Sequence, residues 1–135
     1  MTIETEWYIP GRVVHQRYIG NISMAEAKEA IDGAKHFYDE AHDNCLHTIV
    51  DMSAVERFDI TLQGLRDLQA AKGNIGWSVV VTSSNGMISH LSKFLSVAAS
   101  QFLNVRLRIV SDISEAEAFL SEMDNEVADA LRRAS

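Results

Sequence analysis

Carboxylate and hydroxyl side chains follow directly after an apolar, β-branched segment, LHTIVDM at residues 46–52. That segment predicts a central strand covered on both faces. The polar residues after it form a predicted loop, 51–61, which contains Asp51, Ser53, Glu56, Asp59 and Thr61. A phosphate on one of its hydroxyls would add negative charge beside these acids and repel a docking partner. These residue types could carry chemistry at this point of the chain, although they also cap helices and form turns.

A second polar cluster follows the strand-like segment WSVVVT. It consists of Ser83, Ser84, Asn85 and Gly86, and the helix predicted after it would offer bare N–H groups to an anion. Ser111 and Asp112 come after the last predicted strand. In an open α/β sheet, ligands bind beyond the carboxyl ends of the parallel strands. We therefore expect these clusters to form a polar rim along one edge of the sheet.

Sequence signatures of catalysis are missing from the chain. It has no G-x-S-x-G nucleophile turn, no G-x-x-x-x-G-K-[ST] phosphate loop and no G-x-G-x-x-G dinucleotide fingerprint. Acids and histidines between residues 36 and 45 lack the tight spacing of a zinc site. His15, His47 and His90 are isolated, which favours packed or surface roles. We predict a protein that is not an enzyme, with no catalytic residue, metal or cofactor.

The elements that must position these residues alternate between strand and helix patterns. Residues 3–9 alternate apolar and polar, Pro10 and Gly11 predict a type II turn, and RVVHQRYI resumes a strand. Ser23 and Glu26 predict a capping box for a helix at about 24–42. A helix beginning near Leu62 follows the loop.

The second half of the chain continues the same alternation. A long helix is predicted at 86–103, VRLRIV predicts an edge strand, and Ser114 with Glu117 predicts the capping box of a final helix. The order is β-β-α-β-α-β-α-β-α. It predicts an α/β fold with a mostly parallel five-stranded sheet, an N-terminal antiparallel hairpin and four helices.

Composition limits the function classes. A length of 135 residues fits one domain, 1–135. The net charge of −7 disfavours nucleic acid as a partner. A single cysteine, Cys45, fits a reducing compartment. Because the chain has neither a signal-peptide pattern nor a long apolar run, we expect no transmembrane segment and a cytoplasmic location.

Hydroxyl side chains form a stripe on the predicted helix 86–103. Ser89, Ser92, Ser96 and Ser100 recur at spacings of three and four, and Lys93 is the one charged residue of that helix. A face with little charge to desolvate suits docking against another protein surface. We expect an interaction helix and a homodimer, with an ordinary modestly polar surface helix as the alternative.

The element order, the hairpin, IVDMSAV, GWSVVVT and the ending VRLRIVSDISEAEAFL together resemble the sulphate-transporter and anti-sigma-antagonist (STAS) superfamily. The chain is most similar to its small bacterial branch, which includes the sporulation anti-anti-sigma factor and is related to the Sec14-like lipid-binding fold. In that branch a hydroxyl in an Asp-Ser-Ser-Gly-Leu motif is phosphorylated by an anti-sigma kinase. Asp59 and Thr61 match this motif, whereas Ile60, Leu62 and Gln63 depart from it, and Thr61 as a helix cap is the favoured interpretation.

The resemblance implies a non-enzymatic regulatory module that binds a protein partner, such as an anti-sigma-type kinase, through the loop 51–61. It makes Thr61 the candidate phosphoacceptor, with Ser53 as the alternative by its position in that loop. The alternative that it implies is a domain that binds a lipid or another small apolar ligand.

Overall fold

A computed structural model describes residues 3–33, 35–41, 45–59, 75–82 and 106–134. Its elements are β1 Ile3–Ile9, β2 Val13–Ser23, α1 Met24–Gly33, α2 Lys35–Ala41, β3 Leu46–Asp59, β4 Ile75–Val81, β5 Arg106–Val110, α3 Ile113–Met123 and α4 Asn125–Ala134. The five strands form one sheet in the order β1-β2-β3-β4-β5. β1 and β2 are antiparallel, and the remaining pairs are parallel. The predicted α/β class and mixed sheet are confirmed.

The turn between β1 and β2 has the predicted chemistry. Gly11 has a φ of 77°, the conformation that a type II turn requires at its third residue. The N–H of Arg12 donates to the carbonyl of Ile9 at 3.0 Å and closes the turn. Proline presets φ at the second position, so Pro10 and Gly11 meet the backbone requirements of the two central positions of the turn.

Helices cover both faces of the sheet. On the front face, α1 covers a core that includes Ile22, Ala27, Ala30, Met52 and Val55, and α2 packs Phe37 and Ala41 against Val14 and Leu46. On the back face, α3 and α4 cover a core that includes Val13, Ile49, Val79, Ala116, Leu120 and Val127. Because alternate residues of a strand point to opposite faces, β3 contributes Ile49 to the back core and Val50 to the front.

The prediction of a loop at 51–61 is wrong for residues 51–59, because these residues continue β3. β3 pairs with β4 only as far as Asp51 but with β2 as far as Asp59. Burial of Met52 and Val55 beneath α1 stabilises this extension. Two irregularities in the ladder interrupt the alternation of apolar and polar residues, and the extension therefore resembles a loop in sequence.

The predicted first and last helices are each two helices in the structure. In place of the predicted helix 24–42, the structure has α1 Met24–Gly33 and α2 Lys35–Ala41. At the other end of the chain, α3 ends at Met123, and α4 begins at Asn125. The predicted helices near Leu62 and at 86–103 lie outside the described residues. None of the helices in the described ranges is long and apolar enough to cross a bilayer.

The two predicted capping boxes had different outcomes. At Ser23 the N-cap half of the box is present, since its hydroxyl oxygen accepts the Glu26 N–H at 3.3 Å. The Glu26 carboxylate accepts the Ser23 hydroxyl at 3.2 Å in place of the backbone N–H that a full capping box uses. At Ser114 the prediction is wrong, because α3 begins at Ile113 and its N-cap is Asp112. The Asp112 carboxylate accepts the N–H of Glu115 at 2.8 Å, so the helix starts before Ser114 can act as a cap.

Candidate functional site

The carboxyl ends of β4 and β5 are aligned in one row with Asp51, the last residue of β3 that pairs with β4. Asp51 pairs with Val81, and Val81 pairs with Val110. Neighbouring strands lie about 4.8 Å apart, so the backbones of this row span about 10 Å. Asp51 and Ser53 of β3 therefore lie at the same edge as Thr82, Ser111 and Asp112. We call this edge the rim. Glu56 and Asp59 lie further along β3, beyond the row that Asp51 shares with Val81 and Val110.

A β-bulge places Ser53 at the rim. Arg17 pairs with Asp51 and Ile19 with Ala54, so β3 has one residue more than β2 between these pairs. The Asp51 Oδ1 atom accepts the Ser53 N–H at 3.0 Å and the Ser53 hydroxyl at 2.6 Å. The carboxylate satisfies the N–H in this irregular part of the ladder and fixes the hydroxyl beside it.

The Asp51–Ser53 pair has the exposure and charge of a modifiable site. Ser53 is exposed and Asp51 is half-buried. Because the hydroxyl donates its one proton to a carboxylate, any other hydrogen bond at its oxygen must be one that it accepts. A bond of 2.6 Å to an ionised acceptor is in the range of strong charge-assisted hydrogen bonds. A phosphate on this oxygen would remove that bond and lie against the Asp51 carboxylate.

A second irregularity in the β2–β3 pair presents charges next to this site. Gly20 pairs with Val55 and Asn21 with Arg57, so Glu56 is the extra residue of β3. Gly20 has a φ of 76°, which favours glycine at such a bulge. Glu56 and Arg57 are both exposed. The candidate partner-binding segment is thus a bulged strand with a defined backbone, rather than the predicted loop.

The other described rim residues have structural roles. Thr82 is buried, and its N–H donates to the Val110 carbonyl at 3.0 Å. Asp112 caps α3 as described above. Glu115 in turn accepts the Ser111 N–H at 2.9 Å, and the two bonds form a reciprocal cap. At Ser111 and Asp112 the polar groups therefore cap a helix, which is the alternative given above for these residue types.

Several sequence-predicted site residues fall outside the described residues. They are Thr61 of the candidate phosphoacceptors, Ser83, Ser84, Asn85 and Gly86 of the anion cluster, and Ser89, Ser92, Lys93, Ser96 and Ser100 of the interaction helix. For Asp59 the structure describes the backbone, which pairs with Ser23.

A buried His–Asp pair lies at the other end of the strands from the rim, near the start of β3. His47 is 3% exposed, and its Nε2 lies 2.9 Å from the Asp124 Oδ2 atom. The Nδ1 atom accepts the backbone N–H of Trp77 at 3.0 Å, so the ring proton is on Nε2 and is donated to Asp124. Both ring nitrogens are used, and the pair links β3 and β4 to the junction of α3 and α4. His47 was expected to be packed or on the surface, but its partner could not be identified from sequence.

A polar contact joins the hairpin to α3 on the back face. The Tyr8 hydroxyl donates to the Glu117 carboxylate at 2.8 Å. Burial, this hydrogen bond and the charge of Glu117 raise the pKa of Tyr8 to about 12. Burial alone raises the pKa of Tyr18, in β2, to about 12. Within the described ranges, no three histidine, cysteine or acidic side chains lie together in a geometry that could hold a metal ion.

Comparisons with known proteins do not assign a family. The chain matches no protein-family model, and a search of curated proteins finds no match.

Proposed function

We propose that this protein is a non-enzymatic regulatory module that binds a protein partner at the rim, and that phosphorylation of Ser53 releases the partner. The observation that carries this proposal is the Asp51–Ser53 pair, in which an exposed hydroxyl lies 2.6 Å from a carboxylate oxygen. The resemblance to STAS domains supports an anti-sigma-type kinase as the partner that adds the phosphate.

Electrostatics explain why phosphorylation would release a partner. A phosphoserine carries close to two negative charges at neutral pH. At position 53 this group would lie beside Asp51, and Glu56 is exposed three residues along the same strand. Like charges at an interface suppress binding. The modification would also remove the Ser53 hydroxyl bond that helps to hold the bulge.

The cytoplasm is the proposed location. Cys45 is a free cysteine, and unpaired thiols are typical of reducing compartments. A cytoplasmic kinase would have access to the protein there.

Site-specific incorporation of phosphoserine tests the release. The unmodified protein, S53A and a form with phosphoserine at 53 are immobilised and exposed to lysate of the source organism, and retained proteins are identified by mass spectrometry. We expect a protein that the unmodified chain and S53A retain and that the phosphoserine form loses. T61E, assayed in parallel, tests the other candidate phosphoacceptor.

A phosphoserine at position 125 is the matched control. Asn125 is exposed at the start of α4. It is next to Asp124, which contacts His47 at the other end of the strands from the rim. A helix N-terminus tolerates the added negative charge. This form should retain the partner. If no protein is retained by the unmodified chain, or if both phosphoserine forms retain it equally, the proposal is wrong. Native mass spectrometry that finds a co-purified apolar ligand would instead support the lipid-binding alternative.

A further inference from the structure

The sheet ends in two edge strands of opposite charge. In the part of the chain that the structure describes, β1 pairs with β2 alone and β5 with β4 alone. β1 presents two exposed acids, Glu4 and Glu6. β5 presents two exposed bases, Arg106 and Arg108.

All four charges project from the back face of the sheet. Glu6 pairs directly with His15 of β2, and His15 is two residues from Val13 of the back core. The Arg108 guanidinium lies 5.3 Å from the centre of the Phe119 ring in α3, which also belongs to that core. Residues two apart in a strand share a face. Glu4 therefore accompanies Glu6, and Arg106 accompanies Arg108.

We propose that copies of this protein associate head to tail, with β5 of one copy pairing antiparallel to β1 of the next. β1 runs against the other four strands, so a second copy in the same orientation presents β1 antiparallel to β5 with its back face on the same side. One register then places Arg106 opposite Glu6 and Arg108 opposite Glu4. Opposite charges in directly facing positions stabilise a strand pair.

The charge pattern selects this arrangement over a symmetric dimer. Pairing β1 with β1 would bring Glu4 and Glu6 against the same acids of the second copy, and pairing β5 with β5 would oppose arginines. Like charges directly opposite destabilise a strand pair. Charges on edge strands commonly prevent association, and here they prevent only the symmetric pairings. A head-to-tail contact leaves one β1 and one β5 exposed at the ends, so the assembly grows as an open chain.

Sedimentation equilibrium tests the association. The wild-type chain has a mass of 15.0 kDa, and we expect its weight-average mass to rise continuously with concentration, without a plateau at the dimer. The rise should be larger at a salt concentration of about 10 mM, where the Debye length is about 30 Å, than at about 1 M, where it is about 3 Å.

Charge reversal of either edge should abolish the association. E4K/E6K makes both edges basic, and R106E/R108E makes both acidic, so each variant alone should associate at least about tenfold more weakly than wild type. An equimolar mixture contains complementary edges at both junctions and should associate again. This recovery also shows that both variants are folded.

Matched controls change the net charge equally at other places. E29K/E122K and K28E/R133E alter exposed helical residues and should associate within about twofold of a wild-type chain. A wild-type mass that stays at 15.0 kDa at low salt overturns the proposal. A plateau at the dimer mass, or a mixture of the two edge variants that remains monomeric, also overturns it.

Discussion

Replacement of Gly76 by alanine should destabilise the fold through the buried His–Asp pair. A Cβ atom at Gly76 would lie 2.4 Å from the His47 Nδ1 atom, 2.8 Å from its Cε1 atom and 3.0 Å from the Cys45 Sγ atom. The two separations from the ring are shorter than a non-bonded carbon contact allows, so the His47 ring must move. It cannot move without lengthening the hydrogen bonds that it makes to Trp77 and Asp124.

The expected cost follows from those two bonds. A hydrogen bond to a charged group such as Asp124 contributes about 1.5–3 kcal/mol, and the bond from the Trp77 N–H about 1 kcal/mol. We expect G76A to lower the free energy of unfolding by about 3 kcal/mol. Because the entropy of unfolding is about 2.1 cal/mol/K per residue, this loss lowers the melting temperature of a 135-residue chain by about 10 °C.

Urea unfolding in a double-mutant cycle measures the effect. H47A removes the ring, and G76A introduced into H47A should then cost less than about 0.5 kcal/mol, which makes the two substitutions strongly non-additive. At Gly33, the last residue of α1, an added Cβ atom would have no neighbour within 4 Å, so G33A should leave stability unchanged or raise it by up to about 1 kcal/mol. A cost of G76A below about 1 kcal/mol, or an equal cost with and without His47, would refute the reasoning.

Three further predictions concern single side chains or backbone positions. The pKa of Tyr18 is raised to about 12 in the folded state, so the unfolded chain loses this proton first as the pH rises above 10. The free energy of unfolding should therefore fall between pH 10 and 12 by roughly 2–3 kcal/mol more in wild type than in Y18F. Urea unfolding at each pH measures the difference. D112A should lower stability by about 1 kcal/mol and D112N by much less, because asparagine also caps helices, and a thermal melt that ranks them otherwise contradicts the cap. G20A should cost about 1–2 kcal/mol through strain alone, since Gly20 has a positive φ and open space around it, and G20N should cost less in the same melt.

Local chemistry was enough to predict several parts of the fold. Pro10 and Gly11 predict the hairpin turn because each residue restricts or permits the φ that the turn needs. Alternating and continuous apolar runs predict the strands, and the strand–helix alternation predicts a mixed, mostly parallel sheet. Ser23 and Glu26 predict the start of α1, since a cap involves residues only three positions apart.

Asp51 and Ser53 could be predicted as candidate site residues from the sequence, but the strand that contains them could not. Polar residues after an apolar run are typical of a loop, and the two bulges of β3 hide the alternation that would have indicated a strand. Whether residues 52–59 pair with a neighbour depends on how far β2 extends beside them and on the cover that α1 provides. The extent of β2 and the cover by α1 are both set by other parts of the chain, so residues 52–59 alone do not reveal them.

The sequence by itself determined the five strands and their order along the chain, the turn, the charge of each strand and the residues available for a site. Only the tertiary structure decided which of them meet. The contact between His47 and Asp124 joins residues 77 positions apart, and Gly76 is constrained by the space that this pair needs. The strand order likewise decides that acidic β1 and basic β5 are the two edges. Local patterns reflect backbone preferences over a few residues, whereas these contacts depend on how the whole sheet and its helices pack together.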